Sequence, residues 1–293
     1  MSARSLVAGV NALFRMAESR LPEAQRVLDD PFAAALGEGH PVVWLIRGVR
    51  YLVPPLRRTV EELRTAHCVR HAALDTLLLR SLDEGFRQVL ILGAGYDARA
   101  GRFPRQGVRW FEVDRAEMLD RKVGVGHSQR IAYDLSRPGL RAALVAAGWR
   151  PQDPTVVLLE GVVHYLSRAD LQALLSELGE GPRVLLLSFI RPDMARRSST
   201  TLNNLFRAMR EIPGTFYDAA ELAEIGEAFG FSGFCAWGFE EQVRELVPRA
   251  AGRLVGVSQD VARLERGGGG GGVVPGVVPG VPGVPGVVPG IDS

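Results

Sequence analysis

The residues best suited to chemistry sit together at Gly93-Ala94-Gly95-Tyr96-Asp97, directly after the apolar run Val89-Leu90-Ile91-Leu92. Two glycines at a strand end let the backbone turn tightly and let a ligand approach the main chain without meeting a Cβ. With Ala98 the turn reads G-x-G-x-x-A, and Asp114 follows about 20 residues on, where a carboxylate that takes ribose hydroxyls belongs. The spacing points to a ligand that contains a nucleoside.

A dinucleotide needs a full helix behind the glycines, with its N-terminus on the pyrophosphate. Here Arg102-Phe103-Pro104 ends any such helix after roughly two turns. Asp97 also places a carboxylate beside the turn, which repels a pyrophosphate and suits a ligand carrying ammonium or sulfonium charge. The pattern favours S-adenosylmethionine over NAD. An NAD-dependent oxidoreductase and a non-catalytic binder of a nucleoside cofactor stay open as alternatives.

Further acids stand where strands should end: Glu112 and Asp114 after the second apolar run, Asp134 after the third, Glu160 after the fourth. Ligands of open α/β sheets bind outside the carboxyl ends of the strands, so this row points at one crevice. Asp134 is placed to accept from an adenine amino group, and Glu160 to lie near the ligand's amino-acid end. Arg70 falls in the middle of the apolar stripe Leu63, Ala66, Ala73, Leu74 and Leu77, where a guanidinium must find an anionic partner. That partner is either the α-carboxylate of a methionyl group or one of the acids just named. His164 and Tyr165, just past the fourth run, are the candidate catalytic side chains. His67 and His71 have i, i+4 spacing, but Cys68 stands where a zinc protease has Glu and no third ligand is evident, so they read as surface or packing residues and no metal is expected. Gly126-His127-Ser128 lacks the closing glycine of a nucleophile elbow.

The elements that must position these residues follow from periodicity. Residues 1–88 read as a helical extension: Leu6, Val7, Val10, Leu13, Phe14 and Ala17 recur at helical spacing, Asp30-Pro31 caps a second helix that Gly37 stops, and Thr59-Val60-Glu61-Glu62 opens a long helix running to Gly85. Residues 89–266 alternate short apolar runs (89–93, 108–114, 130–135, 155–161, 183–189) with helices, including one capped by Ser167 and one over 218–229. Runs without strict alternation are strands buried on both faces. Residues 231–239 and 253–259 read as closing strands, and 190–216 as a lid. The expected fold is a doubly wound α/β domain that includes the extension.

Residues 267–293 hold 11 of the 34 Gly and 5 of the 18 Pro, in a run of glycines followed by Val-Pro-Gly repeats. The composition predicts a disordered tail resembling elastin-like sequence, either a spacer or self-association segment or an unselected GC-rich repeat extension. The net charge of +2 is too small to drive binding to nucleic acid or a membrane surface. Of the 35 basic residues only Lys122 is lysine, and Cys68 and Cys235 form no metal-ligand or disulfide framework. No signal core or membrane span is expected, which fits the cytoplasm.

Several motifs in order resemble the leucine carboxyl methyltransferase and tetracenomycin-type O-methyltransferase family. They are Arg70-x-x-x-Leu74-Asp75, LILGAGYDARAGRF (90–103), FEVDRAEMLDRK (111–122), YDL (133–135), PTVVLLEGVVHYLS (154–167) and, upstream, DDPFAAAL (29–36). The resemblance implies a class I methyltransferase fold, S-adenosylmethionine as cofactor, and transfer of methyl to a carboxyl or hydroxyl oxygen of a small-molecule or peptide substrate. It implies cofactor contacts from Arg70, Gly93, Asp114, Asp134, Leu135 and Glu160; Gly95 and Asp97 join them from the glycine turn. The family often has Thr where Ala98 stands, and the basic N-terminal contact that some members use has no secure counterpart here, Arg4 and Arg15 being the candidates. A carboxylate acceptor needs no general base. A phenol or alcohol does, and His164 or Tyr165 would supply it.

Overall fold

Every apolar run that the structure describes becomes a strand of one sheet; the central runs are buried on both faces, while those at 130–135 and 231–239 form its two edges and are only partly covered. The computed structural model describes residues 3–37, 54–122, 124–197, 214–248 and 259–267. The strands are β1 Gln88–Leu92, β2 Arg109–Asp114, β3 Gln129–Ala132, β4 Thr155–Leu159, β5 Pro182–Phe189, β6 Gly233–Trp237 and β7 Asp260–Glu265. Their order is β3-β2-β1-β4-β5-β7-β6. β1 to β5 pair in parallel, and β7 runs antiparallel to both neighbours. The order of strands reverses at the β1/β4 junction, which is where such sheets open a crevice.

The helices are α1 Ala3–Ser19, α2 Ala33–Gly37, α3 Pro54–Asp83, α4 Arg99–Arg102, α5 Ala116–Leu119, α6 Leu140–Ala146, α7 Arg168–Leu178, α8 Pro192–Arg197, α9 Ala219–Ala228 and α10 Phe239–Leu246. Alternation along the strands sends Leu90, Val113, Val157 and Leu185 to one face, under α6, α7 and α9. Val89, Ile91, Val156, Leu158 and Leu186 go to the other, where Ala73, Leu74, Leu77, Leu78 and Leu82 of α3 cover them. Burying side chains on both faces at about 25 cal/mol per Å² of apolar surface makes these layers the main stabilising contribution.

The capping box at Ser167 forms as its sequence pattern predicts. Ser167 Oγ accepts from the Asp170 backbone N–H at 3.1 Å, and Asp170 Oδ2 accepts from the Ser167 backbone N–H at 3.1 Å. Changing Ser167 to Ala should lower stability by about 1 kcal/mol, read as a shift of the urea midpoint at unchanged slope. The box expected at Thr59 does not open its helix: α3 already starts at Pro54, which is tolerated in a first turn because its missing N–H has no partner there anyway. The last strand is also displaced. β7 starts at Asp260, beyond the run 253–259, and residues 253–258 lie outside the described residues. So do most of the expected lid (198–213), the tail from 268 onward and the side chain of Arg4. Among the described residues no helix is long and apolar enough to cross a membrane.

Candidate functional site

A cavity of ≈ 670 Å³ opens at the carboxyl ends of β1 to β4, a size typical of small-molecule sites. Its floor is the glycine turn after β1. Gly93 has φ +69°, and a Cβ there would lie 2.5 Å from Val162 Cγ2, so only glycine fits. Gly95 has φ +43°. Asp114 ends β2 beside them: its Oδ2 accepts from the Gly95 N–H and its Oδ1 from the Arg115 N–H, both at 2.7 Å. Asp134 and Leu135 follow β3 on the same wall. Asp134 Oδ1 accepts from the Ser136 hydroxyl at 2.7 Å and its N–H at 3.0 Å, and these bonds hold its carboxyl below the usual range. Val7, Ala8, Asn11 and Arg15 of α1 close the side nearest the turn. Arg15 ties α1 in place, Nε donating to Asp30 at 2.7 Å and Nη2 to the Tyr96 carbonyl at 2.6 Å.

Glu160, after β4, is the anionic end of a buried network. Its Oε1 accepts from Arg70 Nε at 3.1 Å and its Oε2 from His71 Nδ1 at 2.9 Å, and Arg99 Nη2 forms an ion pair with Oε2 at 2.8 Å. Burial opposes the carboxylate charge, but His71, Arg99 and Arg70 override it and hold the carboxyl well below the usual range. Arg99, fully buried, also donates to Asp75 Oδ1 at 2.6 Å and bonds to Asp97. Arg102 joins Asp75 at 2.7 Å. Burial raises the Asp75 carboxyl, but Arg102 and Arg99 lower it more, to about 2. Arg70, Arg99 and Arg102 thus balance Asp75, Asp97 and Glu160.

Arg70, Gly93, Gly95, Asp97, Asp114, Asp134, Leu135 and Glu160 therefore border one cavity, as does Tyr165. Arg70 makes its ion pair with Glu160 while staying on the cavity wall, so one of its two expected partners is in place. Three expectations are corrected. Asp97 offers no unpaired charge beside the turn, because it is committed to Arg99 and to the Arg99 N–H at 2.8 Å. Glu112 does not face the crevice: two residues short of the strand end, it is fully buried with Lys122 Nζ 2.8 Å from its Oε2. His164 is buried behind the wall, its ring centroid 4.2 Å from that of Tyr165. Burial, with Arg70 nearby, pushes its pKa down to about 3, too low for a useful base near neutrality.

His67 and His71 are not surface residues but buried members of the network. With Glu160 they also supply the third ligand the spacing lacked, their donor atoms lying within 4.8 Å of one another. A cation there would nevertheless meet the guanidiniums of Arg70, Arg99 and Arg102, which already bond to these three residues. Arg99, Arg102 and Asp75 were missed by motif reading. The signal for the two arginines was the charge content of DARAGR after an apolar strand, in a turn too short to expose every charge.

The buried histidines predict an acid-labile fold. Burial lowers the pKa of His67, His71 and His164 below 6.5, so the unfolded chain binds more protons than the folded one once the pH drops through that value. Stability present above pH 6.5 is therefore lost on acidification, at up to about 1.4 kcal/mol per pH unit for each histidine. Asp75 and Glu160, also lowered, add a loss of the same sign below about pH 4. Urea midpoints should fall steeply from pH 7 to pH 5; a flat profile would contradict the neutral, buried histidines.

Strand order, the antiparallel seventh strand and the crevice at the β1/β4 switch together define a class I methyltransferase fold. The chain belongs to the leucine carboxyl methyltransferase family, whose sequence profile matches residues 8–179. It is similar to a Frankia alni protein whose name places it among S-adenosyl-L-methionine-dependent methyltransferases, with 37% identity over 170 residues, 53% of this chain and 57% of that protein. A Parafrankia protein of the same name class is 34% identical over 180 residues, 57% of this chain and 56% of its own. The chain thus spans little more than half the length of these relatives. A solved DUF574-family structure from Streptomyces avermitilis shares the fold, with TM-score 0.54 and 15% identity over 89% of this chain and 97% of that one.

Proposed function

We propose that this chain is an S-adenosylmethionine-dependent O-methyltransferase acting on a carboxylate or hydroxyl oxygen of a small molecule or peptide. The observation that carries the reading is the convergence of Gly93, Asp114, Asp134 and Glu160, each from the end of a different strand, on one cavity in a chain of this family. The fit to the cofactor is chemical. Gly93 lets the turn pass against Val162, Gly95 leaves uncrowded backbone on the cavity wall, and Asp114 keeps acceptor capacity for ribose hydroxyls beyond its two backbone bonds. Asp134 with Leu135 suits an adenine edge, and Arg70 a carboxylate.

When bound, the cofactor supplies a methyl group already activated on a sulfonium. The chain's residues align that group with the acceptor and keep water out, α1 closing over the glycine turn through Arg15. Among the described residues no histidine on or behind the cavity wall is poised near neutral pH: His67, His71 and His164 are all lowered. This favours an acceptor that is already ionised, a carboxylate, over one that needs a base. The NAD reading loses support because α4 is a single turn, Arg99–Arg102, too short to present a pyrophosphate site.

Calorimetry with S-adenosylmethionine and S-adenosylhomocysteine tests the cofactor, and transfer of labelled methyl to a panel of carboxylic acids and phenols tests the acceptor. Binding with label on carboxylic acids is the expected result. Binding of NADH with no heat from either adenosyl ligand would overturn the reading. Cofactor binding with no acceptor labelled would favour a non-catalytic binder.

A further inference from the structure

The protein leaves half of one imidazole unused. His67, on α3, is 7% exposed and lies on the cavity wall. Arg70 Nη2 donates to its Nδ1 at 2.8 Å, and a guanidinium can only donate. Burial first, then the Arg70 guanidinium, keeps the ring neutral. With Nδ1 accepting, the single ring proton must be on Nε2. That atom is buried and has no hydrogen-bond partner. Buried N–H groups are almost always paired, and because this ring lines a ligand cavity a bound ligand can bring the missing acceptor.

The surroundings select the kind of acceptor. Arg70 spends Nε on Glu160 and Nη2 on His67, and the cavity-lining Arg15 lies near the same ring. An N–H between guanidiniums favours an anion and disfavours an ammonium group. We propose that His67 Nε2–H, beside Arg70, seats the carboxylate of the cofactor's amino-acid end. His67 is then a binding residue for that end and not for the nucleoside. The inference rests on the S-adenosylmethionine reading above.

Two ligands separate the possibilities, because S-adenosylhomocysteine and methylthioadenosine share the nucleoside and only the first carries the carboxylate. In calorimetry, His67→Phe should weaken S-adenosylhomocysteine about 10-fold, the size of one charge-assisted hydrogen bond, and leave methylthioadenosine unchanged. His67→Gln, which keeps a donor, should recover part of the loss. Equal weakening of both ligands, or of neither, overturns the assignment to His67 while leaving the cofactor reading intact. An unaltered protein that binds neither ligand overturns the cofactor reading itself. NMR of the unaltered, ¹⁵N-histidine-labelled protein needs no variant: the His67 Nε2 proton should move downfield with S-adenosylhomocysteine and not with methylthioadenosine. A proton that stays in place with both overturns the proposal.

Discussion

Replacing Arg99 by Met should cost about 3–5 kcal/mol of stability, the usual penalty for removing one partner of a buried ion pair. The reason is that the lost guanidinium serves three carboxylates from three parts of the chain. Asp75 comes from α3, Asp97 from the glycine turn and Glu160 from the end of β4, and all of them bond to Arg99. Met fills a similar volume but leaves buried negative charge that the remaining Arg70 and Arg102 do not reach in full. A Lys keeps the charge, but its compact ammonium lacks the planar fork needed to hold three partners, so Arg99→Lys should recover only part of the loss. Urea unfolding measures both; a Met variant with an unshifted midpoint would show that the network is held without its centre.

Changing Asp114 to Ala should weaken S-adenosylhomocysteine about 100-fold, equivalent to roughly 2.7 kcal/mol, while leaving the fold in place. Its carboxylate would accept charge-assisted hydrogen bonds from ribose hydroxyls, worth about 1.5–3 kcal/mol each. It also holds the Gly95 N–H, so the same change loosens the floor of the cavity. Asp114 is only partly buried, and water can take over the freed Gly95 and Arg115 N–H groups, which keeps the stability cost small. Methylthioadenosine retains the ribose and should be weakened alongside, the opposite of its response at His67. Calorimetry that finds both affinities intact would remove Asp114 from the ribose role.

What could be read from sequence divides along the range of the forces involved. Strands β1, β2, β4 and β5 were legible because burial on both faces writes a continuous apolar run such as Val-Leu-Ile-Leu (89–92), the edge strands β3 and β6 only from shorter apolar stretches, and the residues that end β1 to β4 inherit positions at the crevice. Asp114 and Asp134 were placed this way. Glu112 misled because strand alternation puts it on the same side as Asp114, while its fate depended on Lys122, ten residues on and brought back by a loop. Asp97 misled for the same reason: its charge was read alone, whereas Arg99 neutralises it. The histidines at 67 and 71 were judged by their spacing along one helix, and Glu160, the partner of His71, lies about 90 residues away. Helix starts were the other weakness. Thr59 carries the right residues for a cap, but nothing local announces that the helix continues back to Pro54.

The pairing of Lys122 with Glu112 has a practical side. Lys122 is the chain's sole lysine, and its side chain is fully buried. Acylating reagents, acetyltransferases and ubiquitin ligases that require an accessible ε-amino group find none among the side chains of the folded protein. The same burial turns residue 122 into a built-in reporter, because its amine becomes reactive only when the segment after β2 opens. The rate at which it is acylated then times that opening at a single, unambiguous position.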